Sequence, residues 1–217
     1  MTDFDHARKV MVDNQLRTSA ITDRRLLIAM GEVPRERFVP GPRHALAYID
    51  EAQPLGGARK LAAPAPFAKL VQLAAIEHTD QVLDLGCGTG YSTAVLARLA
   101  AHVVAVEDEP ALASAARSNL AALGVANASV VEGPLATAGK ANGPYDVVVV
   151  EGALAEVPDA LLGQLKPEGR LVAIIAENGR PGVAHLFVKS GKGIAARAEF
   201  DAKLPPLAPR RDDSFVF

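Results

Sequence analysis

Three glycines at alternate positions, Gly86, Gly88 and Gly90, follow the run Val82, Leu83, Asp84, Leu85 and precede Tyr91. Glycines between a strand and a helix let the backbone turn sharply and approach a ligand that side chains would hold off. Glu107 lies 21 residues after Gly86, at the end of the next apolar run. An acid at that offset can accept both hydroxyls of a ribose from the neighbouring strand end. A dinucleotide loop needs glycine at the position of Tyr91, and a phosphate-gripping loop needs Gly-Lys-Ser/Thr; neither is present. Asp84 beside the loop would repel a pyrophosphate but attract a cationic amino-acid group. The combination favours S-adenosylmethionine, held by Asp84, Leu85, Gly86, Cys87, Gly88, Gly90 and Glu107. Dinucleotide binding and a purely structural glycine turn remain the alternatives.

The elements that must position these residues follow from periodicity. Apolar residues from Asp5 to Met30 recur at helical spacing, broken at Thr18 to Thr22, so two short helices are expected, the second capped by Ser19 or Thr22. Residues 33–66 carry Pro34, Pro40, Pro54, Gly56, Gly57, Pro64 and Pro66, and read as irregular chain that wraps a domain or covers a site. Regular alternation then begins. Helices are expected at Phe67–Glu77, Tyr91–Ala100, Pro110–Leu123 and Pro158–Leu165, with Gly124 as a left-handed cap. Strands are expected at Gln81–Leu85, Val103–Glu107, Ala128–Glu132, Asp146–Val150 and Gly169–Ile175. Such alternation implies an α/β fold, a parallel sheet with helices on both faces. His185–Lys189 and Ile194–Phe200 read as a closing antiparallel hairpin.

Composition excludes several classes. The 217 residues are 49% hydrophobic, enough for one full core, and carry 23 Lys and Arg against 25 Asp and Glu. The charge divides into +2 over residues 1–62, −6 over 63–176 and +2 over 177–217, and no basic cluster is interleaved with aromatics. Nucleic acid is therefore not an expected partner. Apolar runs such as Val147 to Val150 stop far short of the roughly 20 residues of a membrane span. The lone Cys87 cannot form an internal disulfide, which points to a reducing compartment, the cytoplasm. Inside the glycine loop it reads as a small packing residue, with no partner cysteine or local base. The five histidines have no metal-ligand spacing.

Several segments outside the loop carry a resemblance. Met11, Val12, Asp13, Asn14, Gln15, Leu16 resembles the opening M-V-x-x-Q-L of the protein-L-isoaspartate O-methyltransferases. Val33 to Pro40 is similar to their V-P-R-E-x-F-V-P, Ala47 to Asp50 to A-Y-x-D, and Gln164 to Leu171 to Q-L-K-P-G-G-R-L. The landmarks run in order from about residue 11 to 175. The resemblance implies a Rossmann-like class I methyltransferase fold: a mostly parallel seven-stranded sheet, a C-terminal antiparallel hairpin and helices on both faces. It also implies an enzyme that methylates the carboxylate of isoaspartyl residues in damaged proteins, with S-adenosyl-L-methionine as donor and S-adenosyl-L-homocysteine as product. Residues 1–66 would be a helical and irregular extension packed on a core of residues 67–217.

Three segments depart from the family's pattern. Its G-x-G-Q-T-I-S-x-P, which supplies hydroxyls at the reaction centre, aligns with Gly56 to Pro64, so threonine becomes Lys60, serine becomes Ala62 and glutamine becomes Arg59. No catalytic residue is assigned there. Arg59 and Lys60 read either as a solvated basic pair or as attraction for an anionic acceptor. The family's G-D-G at the adenine end aligns with Gly133, Pro134, Leu135, leaving Glu132 as a substitute acid or as a solvated strand end. Glu151 stands where the family has Thr or Gly, at a strand end that could face the acceptor or water. These departures keep two further readings open: a methyltransferase with another acceptor, and a non-catalytic cofactor-binding protein. Leu204 to Pro209 reads as a tail over the acceptor groove or as a solvated end.

Overall fold

A computed structural model describes residues 3–57, 59–176 and 181–207. Helix α1 (Phe4–Met11) continues through a wide turn at Val12–Leu16 and a tight turn at Arg17–Ser19 before α2 (Arg24–Glu32). Asp23, rather than Ser19 or Thr22, caps α2: its carboxylate accepts from the amides of Arg25 and Leu26. The segment expected to be irregular contains a small antiparallel hairpin, β1 (Gln53–Gly56) with β2 (Arg59–Leu61).

The core alternates as expected: α3 (Pro64–Ala74), β3 (Gln81–Leu85), α4 (Tyr91–Leu96), β4 (His102–Glu107), α5 (Pro110–Ala122), β5 (Ala128–Glu132), β6 (Tyr145–Leu154), α6 (Asp159–Leu162), β7 (Leu165–Ile175), β8 (Val183–Ser190) and β9 (Gly193–Asp201). Helix α3 begins three residues early because Pro64, which needs no amide partner, fits the first helical position. Helices α4 and α6 are shorter than the periodicity suggests, whereas β6 runs on past Val150 to Leu154.

The seven strands lie in the order β5-β4-β3-β6-β7-β8-β9, parallel from β5 to β7, with β8 antiparallel to β7 and β9 antiparallel to β8. Chain order reverses between β3 and β6, the crevice where open α/β sheets bind ligands at strand C-termini. Each central strand is buried on both faces. Val82, Val103, Val147 and Val149 join α1, α2, α3 and α4 in one core, while Leu83, Leu85, Val104, Val106, Val148 and Val150 form another with Leu161 and Leu171. Register places Asp84 beside Ala105 and Val149. By the two-residue period, Asp84 and Glu107 therefore share the face covered by the N-terminal helices, while Glu151 falls in the stretch of β6 between Val149 and Ala153 where the register shifts.

Candidate cofactor and acceptor site

The loop after β3 closes by backbone hydrogen bonds: the amides of Gly86 and Cys87 donate to the carbonyl of Val106 at 2.8 and 3.2 Å, tying it to the end of β4. Gly86, Gly88 and Gly90 all have positive φ, at 81°, 57° and 93°. Gly90 differs in what it faces. A Cβ there would lie 3.2 Å from the Cβ of Ala116 on α5, so this glycine lets two helices approach. Gly86 and Gly88 instead face Leu207 and Leu55, apolar side chains from the C-terminal segment and from β1. Cys87 is buried against Ala105 and Ala116, and burial raises its thiol pKa, so it packs as a small hydrophobe.

Asp84 is wholly buried. Its Oδ2 accepts from Ser92 Oγ at 2.8 Å and Thr93 Oγ1 at 2.6 Å, both on the first turn of α4. Its Oδ1 has no partner among the described residues. Burial, then the charge of Glu107, pushes its pKa up to about 7, against the lowering effect of the two hydroxyls. An unpaired buried carboxylate oxygen is costly, and a cationic ligand would satisfy it.

Glu107, also wholly buried, caps the end of β4. Its Oε2 accepts from the Gly88 amide at 2.8 Å, and its Oε1 from the amides of Asp108 at 3.0 Å and Glu109 at 3.1 Å and from Arg59 Nε at 3.2 Å. Burial raises its pKa, with Arg59 and the backbone amides opposing. Arg59 is thus no solvated charge: it is 8% exposed, and its Nη2 also pairs with Asp108. The pair separates because strand alternation turns Arg59 inward and Lys60 outward to solvent.

Glu132 sits apart from the rest. Register sets it beside Glu107, but its side chain is exposed and pairs with Arg117 of α5 at 3.5 Å. Leu85 is the buried last residue of β3. Glu151 has a buried Oε1 with no partner among the described residues, so it is not simply a hydrated strand end. Burial and the charge of Asp84 raise its pKa, and Arg35 opposes.

Arg35 carries a role that its place in a sequence landmark does not reveal. It is fully buried, stacks over the ring of Tyr91 at 4.8 Å, and donates to the carbonyls of Ala47 (2.6 Å) and Ala62. One side chain thereby ties the segment around Ala62 to the first residue of α4. Thr89 Oγ1 adds a second tie to the Phe38 carbonyl at 2.6 Å. The tail is also settled as far as Leu207: Leu204 and Leu207 are buried, and Leu207 lies across Gly86 and Gly152, held by the Leu207 amide donating to Ala153 and the Ala153 amide donating to Pro205. Residues 208 and 209 lie outside the described residues. Among the described residues no cluster of His, Cys, Asp and Glu could hold a metal ion.

Residues 6–204 match the family Protein-L-isoaspartate(D-aspartate) O-methyltransferase. The protein-L-isoaspartate O-methyltransferase of Methanoregula boonei is 42% identical over 165 residues, covering 76% of each chain. That of Koribacter versatilis is 38% identical over 93% of this chain and 90% of its own. In shape, a Plasmodium falciparum protein assigned to the same activity and crystallised with S-adenosyl-L-homocysteine superposes with a TM-score of 0.79 over 93% of this chain and 98% of its own, at 20% identity. With a family match across nearly its whole length and relatives of this similarity, the chain belongs to the protein-L-isoaspartate O-methyltransferase family.

Proposed function

We propose that this protein transfers a methyl group from S-adenosyl-L-methionine to the free carboxylate of isoaspartyl residues in damaged proteins. The observation that carries the reading is the pairing of two buried acids at adjacent strand ends around the glycine loop: Asp84 with an unpartnered oxygen and Glu107 at the end of β4. The residues fit the donor. Asp84 would hold its ammonium, Glu107 its ribose, and Gly86, Gly88 and the backbone at Leu85 and Cys87 would line its path, with Gly90 setting the loop's helix junction. Glu132, exposed and paired with Arg117, would reach the adenine only by leaving that partner.

The bound donor supplies an activated methyl group on a sulfonium. An ionised carboxylate is already a nucleophile, so the chain's task is alignment and exclusion of water rather than proton transfer. Arg35 fixes the backbone at Ala62, where the family carries a serine, and thus holds the acceptor side of the site without a hydroxyl. Lys60, outward-facing and exposed, offers a cation to an anionic acceptor there.

On this reading residues 1–66 bear the acceptor side and residues 67–217 the cofactor side. The lone cysteine supports a cytoplasmic setting. Among the described residues no helix is long and apolar enough to cross a membrane. The function is tested by following S-adenosylhomocysteine formation with an isoaspartyl peptide and with its aspartyl isomer. Turnover with the isoaspartyl form alone is expected; equal turnover with both, or with neither, overturns the proposal.

A further inference from the structure

The two oxygens of the Glu107 carboxylate are unequally filled. Each offers about two acceptor sites, yet Oε1 takes three donors, the amides of Asp108 and Glu109 and the Nε of Arg59, while Oε2 takes the Gly88 amide and keeps room for a second donor. Three of these four donors are backbone groups fixed by the glycine loop and the β4–α5 junction. Arg59 alone is a side chain, carried on the short hairpin formed by β1 and β2. It stands where the family's aligned segment carries an uncharged glutamine.

We infer that Arg59 is a built-in competitor of the cofactor's ribose, a latch that closes the acid when no ligand is present and must let go of Oε1 when the two ribose hydroxyls arrive. Its Nη2 contact with Asp108, half-exposed at the site's rim, gives the guanidinium a second anchor on which to remain after Nε is displaced. The hairpin also carries Leu55, which lies against Gly88, and leads into Ala62. Release of Arg59 therefore loosens the strand that borders the acceptor side at the moment the donor is seated. The consequence for affinity is a fixed cost: ligand binding is weakened by the fraction of protein in which the latch is open. For a buried hydrogen bond from a charged guanidinium exchanged for one from an uncharged hydroxyl to the same carboxylate, that cost corresponds to roughly tenfold in affinity.

This inference rests on the proposed role of Glu107 as the ribose acid, and one experiment separates the two. Calorimetry at pH 8 compares S-adenosylhomocysteine with its 2′,3′-dideoxy analogue in the wild type, Arg59→Gln and Glu107→Ala. The ratio of the two affinities within each variant reads the diol's contribution and is insensitive to the folded fraction. The expected ratio is about tenfold larger in Arg59→Gln than in the wild type, through tighter binding of the diol ligand, and falls towards one in Glu107→Ala. A ratio in Arg59→Gln equal to or below the wild-type value overturns the latch. A ratio in Glu107→Ala equal to the wild-type value overturns the ribose assignment itself. As a second check, Arg59→Lys keeps a cation but lacks the fork that bridges Glu107 and Asp108. Its ratio is expected between those of the wild type and Arg59→Gln, and a value below the wild type counts against the latch.

Discussion

Replacing Asp84 with asparagine should stabilise the ligand-free protein at alkaline pH and weaken its grip on the cofactor. The carboxyl is wholly buried, keeps two hydroxyl donors on Oδ2 and has its pKa raised to about 7, chiefly by burial. An unfolded aspartate titrates near 3.9. A carboxyl whose folded pKa is raised favours folding while protonated: the benefit is complete below about pH 4 and is lost as pH rises through about 7. Asparagine keeps the shape and still accepts from Ser92 and Thr93, but never carries the charge. Three pK units correspond to about 4 kcal/mol, an upper bound because Asp84 shares its surroundings with Glu107 and Glu151. Urea denaturation of wild type and Asp84→Asn at pH 5, 6, 7 and 8 should therefore give a stability difference in favour of the variant that is about 1 kcal/mol at pH 5, rises steadily to pH 7 and levels off at about 2–4 kcal/mol at pH 8. The affinity for S-adenosylhomocysteine should fall by about tenfold or more in the same variant, the loss of one charge-assisted hydrogen bond. A stability difference that does not change with pH, or a variant less stable than the wild type at pH 8, would refute the reasoning.

Other substitutions probe the surrounding parts. Lys60→Ala should raise KM for an isoaspartyl peptide several-fold with kcat little changed, and the difference should shrink in high salt; this follows from removing one exposed charge beside an anionic acceptor. Gly90→Ala should cost about 1–3 kcal/mol in denaturation experiments, because the new methyl meets Ala116 at 3.2 Å and the residue must keep φ near +93°. Leu207→Ala should destabilise by about 2–3 kcal/mol, the ordinary cost of truncating a buried leucine, and a solvated tail would instead show no change.

The central sheet was legible in the sequence because its strands are buried on both faces: Val147 to Val150 and Val103 to Val106 are continuous apolar runs that few other structures accommodate. The glycine loop and Glu107 were legible because backbone geometry fixes their offset. The small hairpin was hidden by Pro54, Gly56 and Gly57, which read as breakers but here sit at its edge and turn. Arg59 could not be read as buried, since its partners Glu107 and Asp108 lie 48 and 49 residues away and charge alone argues for exposure. Arg35 shows the same limit. A charged residue in a Pro-flanked segment gives no sign that it will span two carbonyls and an aromatic ring beneath the sheet's N-terminal cover. Leu207 became informative only through the glycines beneath it.

The central claim, that a site lacking the family's threonine and serine still esterifies an isoaspartyl carboxylate, is tested most directly by the chemistry of the product. Incubation with S-adenosylmethionine labelled in its methyl group and an isoaspartyl peptide, followed by alkali, should release the label as volatile methanol, because a carboxyl methyl ester hydrolyses whereas an N-methyl group does not. The matching aspartyl peptide should release none. Label that stays on the peptide through alkali, or an absence of label from a protein that binds S-adenosylhomocysteine tightly, would contradict the account.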